Sequence, residues 1–205
     1  MGSLLRKEDE KCADIVSKFL DEHFYNNVDS FRRINTKQEQ VKGIDTIFQV
    51  DGEEYLCDEK AAIRYVNKNL QTFAMELSFI DRGDNLHEGW LIDDNKVNNS
   101  FLFVWIDKAK NDILKSVDDI QELEYMLIKR DKIIEYLNRL GWTKNRLIEK
   151  TKLIREDARE YLGRLDTNGC KFVYSGFLYE KPVNVLIARD VLREMSLFNK
   201  KIIIK

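Results

Sequence analysis

A chain of 205 residues with 43% hydrophobic and 34% charged residues has the length and balance of a soluble globular protein with a substantial core. No apolar run approaches the ~20 residues of a membrane span, and the opening Met1-Gly2-Ser3-Leu4-Leu5-Arg6 has no signal-peptide core, so a cytoplasmic setting is expected. A net charge of −2 gives no global pull toward nucleic acid, and three scattered cysteines with two histidines leave no disulfide framework, no zinc pattern and few members for a histidine triad.

Residues 5–25 read as a helix, because Leu5, Cys12, Ala13, Val16, Phe19, Leu20, His23 and Phe24 fall on one stripe at helical spacing. Asp9 lands on the same stripe. It either points toward a sheet or sits in an exposed first turn favoured by the helix dipole. Residues 28–35 form the first expected strand, with Phe31 and Ile34 as core residues and Arg32 and Arg33 either meeting phosphates or solvated. A polar connection, 36–42, follows. Its Gln40 lies three residues before Gly43, where it either lines a site or has no task beyond solubility.

Residues 43–62 organise the chain. Both arms alternate as strands do, and Asp51-Gly52 between them is a strong two-residue hairpin signal. With that loop Val50 faces Glu53, Ile47 faces Leu56 and Asp45 faces Asp58. Lys60, two residues beyond Asp58, projects from the same face. Two carboxylates directly opposite repel, and a shared cation turns that liability into a site. Magnesium is held by one or two carboxylates plus water and phosphate oxygens, and an adjacent ammonium orients a water or offsets phosphate charge. A four-residue loop would instead place Asp45 opposite Lys60, an ordinary cross-strand ion pair.

Beyond the hairpin, 65–71 is a polar connector. Phe73, Met75, Leu77 and Phe79 then alternate with Ala74, Glu76, Ser78 and Ile80, a period of two that favours a strand. Glu76 shares its face with small residues, and Gln71 stands near the strand entrance. A turn around Gly83 and a short apolar patch at Trp90, Leu91 and Ile92 come next. Residues 101–106 are apolar on both faces, as in a central covered strand. Ser116 with Asp119 resembles a capping box and predicts a long helix to Leu140, with Ile120, Leu123, Leu127, Ile134 and Leu137 inward and Gly141 as its stop. Thr143 caps a second helix carrying Leu147, Ile148, Ile154, Ala158 and Tyr161, ending at Gly163. The pair is either a plain helical hairpin or a helix-turn-helix whose basic Lys144, Arg146 and Lys150 meet nucleic acid. Asn168-Gly169 introduces a strand over 170–179. Residues 183–188 form another buried strand, 190–197 a short helix and 201–205 a terminal strand.

Lys42-Gly43-Ile44-Asp45, then Asp58-Glu59-Lys60-Ala61, Thr72-Phe73-Ala74-Met75-Glu76-Leu77 and Gly89-Trp90 resemble the PD-(D/E)XK phosphodiesterase superfamily, the restriction-endonuclease-like fold, in its bacterial and phage-type members. The resemblance covers residues 8–106. It implies that Asp45 and Asp58 ligate magnesium or manganese, with the carbonyl of Glu59 as a further ligand, and that Lys60 serves the attacking water. It also implies an extra metal or water ligand at Asp9 on the first helix, while Glu76 by its strand face, with Gln71 near the strand entrance and Gln40 before Gly43, is a further candidate. The plain alternatives are a frayed helix end for Asp9 and a half-exposed strand acid for Glu76. Ile44 replaces the family's proline and Asp58 its commoner glutamate.

The expected fold is therefore α/β: a restriction-endonuclease-like mixed central sheet flanked by helices, with a helical hairpin in the C-terminal half. A single domain is expected over 1–205, with a nuclease-like core at 1–110, the helical hairpin at 111–165, and strands and a short helix at 166–205 packing back on the core. The expected activity is magnesium-dependent endonucleolytic cleavage of DNA, with RNA as another substrate and a homodimer as the family's common state. The alternative is a catalytically inactive module that binds DNA or protein through the same fold.

Overall fold

The structure is a computed structural model and describes residues 2–157 and 170–204. Its first elements are helix α1 (Gly2–His23), strand β1 (Ser30–Arg33), helix α2 (Lys37–Val41), β2 (Thr46–Val50), β3 (Glu53–Ala61), β4 (Thr72–Ile80) and β5 (Leu86–Glu88). There follow β6 (Ser100–Ala109), β7 (Ile120–Lys129), α3 (Arg130–Arg139), α4 (Lys144–Asp157), β8 (Cys170–Tyr174), β9 (Val183–Ala188), α5 (Arg189–Met195) and β10 (Phe198–Ile203). Short 3₁₀ turns lie at Tyr25–Asn27, Ile63–Tyr65 and Val117–Asp119. Among the described residues no helix is long and apolar enough to cross a membrane.

The described chain divides into two compact units, residues 2–70, 97–129 and 196–204 in one, and 71–96, 130–157 and 170–195 in the other. The first is mixed α/β, built on a six-stranded sheet in the order β1-β2-β3-β6-β7-β10. β3 and β6 run parallel and every other neighbouring pair antiparallel. The β2–β3 hairpin has the two-residue loop: Val50 pairs with Glu53 and Ile47 with Leu56. Asp51 and Gly52 both take positive φ, 52° and 78°, as a right-handed strand twist requires of a tight hairpin turn. Strand alternation then sorts the side chains. Tyr55 and Cys57 join Phe48, Leu102, Val104, Leu123 and Leu127 in a core that Cys12, Val16, Phe19 and Leu20 of α1 complete. Asp58 and Lys60 take the opposite face, with Phe101 and Phe103 of β6 as their register partners.

The second unit has a four-stranded antiparallel sheet, β5-β4-β9-β8. α4 packs on β4 and α5 on β9. A turn at Gly141, whose φ is 82°, joins α3 to α4. Trp142 at that turn meets the Phe172 ring edge-on at 4.7 Å.

Several expectations are corrected. The long helix from Ser116 to Leu140 is a strand, β7, followed directly by the shorter α3. The Ser116–Asp119 capping box exists, but it closes the single 3₁₀ turn Val117–Asp119. Leu123 and Leu127 fit helical spacing, yet the intervening Glu124 and Met126 are also buried. That pattern belongs to an interior strand covered on both faces, and tertiary pairing with β6 and β10 outweighs local propensity. In α3, Ile133 rather than Ile134 is fully buried. Strands are shared between two sheets rather than one. Phe31 is 37% exposed rather than core, whereas Ile34 is buried at 2%. The connection 36–42 contains α2, the strand expected over 170–179 stops at Tyr174, and the terminal strand starts at Phe198. Ala158, Tyr161, Gly163 and Asn168-Gly169 lie outside the described residues.

Candidate active site

Asp45 stands just before β2, where its backbone N–H donates to the Cys57 carbonyl at 2.9 Å. Its side-chain Oδ2 accepts the Glu59 backbone N–H at 2.9 Å. This tie sets the Asp45 carboxyl near enough to Asp58 for its charge to raise the Asp58 carboxyl. Lys60 Nζ lies 2.5 Å from Asp58 Oδ1. The three side chains singled out from the hairpin register therefore meet on one sheet face.

Asp58 is 4% exposed, while the Lys60 side chain keeps a quarter of its surface open. Burial pushes the Asp58 carboxyl up to about 7; the Lys60 charge opposes that rise and the Asp45 charge adds to it. An acid held close to another acid, with its proton exchanging near neutrality, has the electrostatics of a site suited to a cation. Among the described residues no group of three or more His, Cys, Asp and Glu side chains is arranged to hold a metal ion. Asp45 and Asp58 are the two carboxylates that could hold an ion there. Two carboxylates alone could hold only an ion that keeps several waters or takes other oxygens, as magnesium does.

Glu59 lies on the other face. Strand alternation turns its side chain toward α1 and β1, where it accepts hydrogen bonds from Ser17 Oγ at 2.9 Å, Tyr25 Oη at 2.7 Å and Arg33 Nη1 at 3.0 Å. Arg33 also reaches Asp21, with Nε 3.1 Å from Oδ1. Those two acids hold the guanidinium above its usual range against the opposing effect of burial. This network was not anticipated. Its signal was present in the alternation, since Glu59 follows Tyr55 and Cys57 on the inward side and an acid placed there needs a cation.

The remaining candidates have partners of their own. Asp9 forms an ion pair with Arg64 and sits on α1, the helix that packs on the face opposite Asp58. Gln40 Nε2 donates to the Ile34 carbonyl at 3.2 Å. Glu76 and Gln71 belong to the second unit: Glu76 is the register partner of Asn184, and the Gln71 carbonyl accepts the Arg189 N–H at 2.8 Å. Of the basic trio on α4, Lys144 bridges Glu88 at 2.8 Å and Asp94 at 2.7 Å, Arg146 donates to the Gly141 carbonyl at 3.0 Å, and Lys150 lies 5.9 Å from the Phe172 ring centre. Each has a partner within its own unit.

Comparison with protein-family models, with curated proteins and with solved structures gives no match to this chain.

Proposed function

We propose that the protein is a magnesium-dependent phosphodiesterase acting on DNA, of the PD-(D/E)XK type. The observation that carries this reading is the Lys60 ammonium 2.5 Å from a buried Asp58 whose carboxyl the Asp45 charge raises. Magnesium, when bound, supplies Lewis acidity toward a phosphate oxygen and a water. Asp45 and Asp58 hold the cation. On taking the ion Asp58 would release its proton to solvent and part from Lys60, leaving Nζ to orient the attacking water and to neutralise charge on the phosphate. Asp45 keeps its orientation through the Glu59 N–H.

Nicking of supercoiled plasmid in magnesium tests the reading. Asp45→Asn abolishes both nicking and ion binding. Lys60→Ala lowers the rate by about 10²- to 10⁴-fold and leaves ion binding in place. Equal activity in all three proteins overturns the proposal. Duplex DNA, single strands and structured RNA offered side by side identify the substrate.

A second reading is favoured by the 2.5 Å Lys60–Asp58 pair, which already balances the Asp58 charge without a metal. On that reading the chain is a silent module that binds DNA or protein. A melting temperature unmoved by millimolar magnesium or manganese selects it.

A further inference from the structure

The Tyr25 hydroxyl touches both strands of the hairpin at the residues adjoining the two aspartates. It donates to Glu59 Oε1 at 2.7 Å, next to Asp58, and meets Thr46 Oγ1 at 3.0 Å, next to Asp45. Because side chains alternate, Thr46 and Glu59 lie behind the sheet while Asp58 lies in front of it. Thr46 and Tyr25 are buried, at 0% and 3% exposure. Ring contacts fix the tyrosine on three sides: Phe31 stacks on it at 4.2 Å, Phe24 packs at 4.6 Å and Phe48 at 5.4 Å. The Arg33 and Ser17 bonds to Glu59 hold the other end. Asp45 itself is tied to the Glu59 backbone. A shift of β2 against β3 would separate the carboxyls, and this hydroxyl spans that joint.

We infer that Tyr25, acting through Glu59 and Thr46, is a positioning residue that clamps β2 to β3 from behind and sets the spacing of Asp45 and Asp58 for a divalent cation. The inference rests on the cation reading proposed above. Supporting partners of this kind orient ligands that they do not themselves extend to the metal, and losing one weakens ion affinity by about 10-fold or more.

The test is a manganese titration, followed by electron paramagnetic resonance of the free ion, on the wild type, Tyr25→Phe, Thr46→Val, the double variant and Asp45→Asn. Melting temperature and circular dichroism are recorded without metal, and the titration is run where every variant is fully folded. The expected result is loss of binding in Asp45→Asn, and about tenfold weaker binding in Tyr25→Phe and in Thr46→Val. The double variant should be no weaker than either single variant, because both remove the same joint. A tyrosine that only supports the core lowers the melting temperature and leaves manganese affinity unchanged. That outcome overturns the clamp while the cation site stands. Wild type that binds no manganese overturns the cation reading, and the clamp with it.

Discussion

The Glu59 backbone N–H donates to Asp45 Oδ2 at 2.9 Å, so the middle residue of Asp58-Glu59-Lys60 holds the first aspartate through its main chain while its side chain faces the opposite way. A strand separates these two duties without compromise. Its backbone bonds lie in the sheet plane and its side chains alternate across that plane. The polar network behind the sheet and the carboxyl pair in front of it thus share one stretch of backbone.

Asp58 makes stability depend on pH in a definite direction. Burial, opposed by the Lys60 charge and helped by Asp45, raises its carboxyl to about 7 in the folded chain, whereas an unfolded aspartate titrates near ~3.9. The folded state holds the proton more tightly, so the stability this group contributes is full below ~3.9 and is lost as pH rises through the folded value. In chelator, the wild-type melting temperature should fall from pH 4 to pH 7 relative to Asp58→Asn. Millimolar magnesium should stabilise the wild type more at pH 8 than at pH 5, because protons compete for the carboxylate. Parallel melting profiles for the two proteins would contradict this account.

Phe31 and Phe48 are register partners on β1 and β2, and they should respond differently to truncation. Phe48 has no exposed surface and packs against Phe24 at 5.5 Å and Tyr55 at 5.3 Å. Phe48→Ala should cost about 3–5 kcal/mol. Phe31, on the edge strand and 37% exposed, has water on one side and the Tyr25 ring on the other. Phe31→Ala should cost about 1 kcal/mol, mostly the stacked pair. Urea denaturation of the two variants checks the order; equal losses would mean that Phe31 is as enclosed as Phe48.

Two glycines are required for different reasons. Gly52 has a φ of 78° and nothing within 4 Å of where a Cβ would stand, so Gly52→Ala carries only the backbone penalty, about 1–2 kcal/mol. Gly89 approaches β4 so closely that a Cβ would overlap the Glu76 carbonyl and stand 2.7 Å from the Leu77 nitrogen. Its own N–H donates to the Leu77 carbonyl at 2.8 Å. Gly89→Ala must therefore displace β4 and should lower the melting point well beyond Gly52→Ala. A smaller effect at Gly89 would show that the strand yields easily.

Local chemistry favoured the hairpin, and the structure chose its two-residue loop over the four-residue one. Asp51-Gly52 selects a two-residue turn because few residues tolerate positive φ, and a two-residue turn leaves one register. The Asp45, Asp58 and Lys60 cluster follows by counting. The apolar run at 101–106 likewise announced a covered strand, β6, and the Phe73–Phe79 alternation announced β4. Where spacing is compatible with both periods, the sequence misled, and a helix was expected across the strand β7. Leu123 and Leu127 suit a helix and a strand equally, and only the neighbours β6 and β10 made 120–129 a strand. The partners of Glu59 were also beyond reach, because Ser17, Tyr25 and Arg33 lie on three separate elements that meet only after folding. Short-range geometry is written in neighbouring residues, whereas burial and charge pairing depend on which distant surfaces come together.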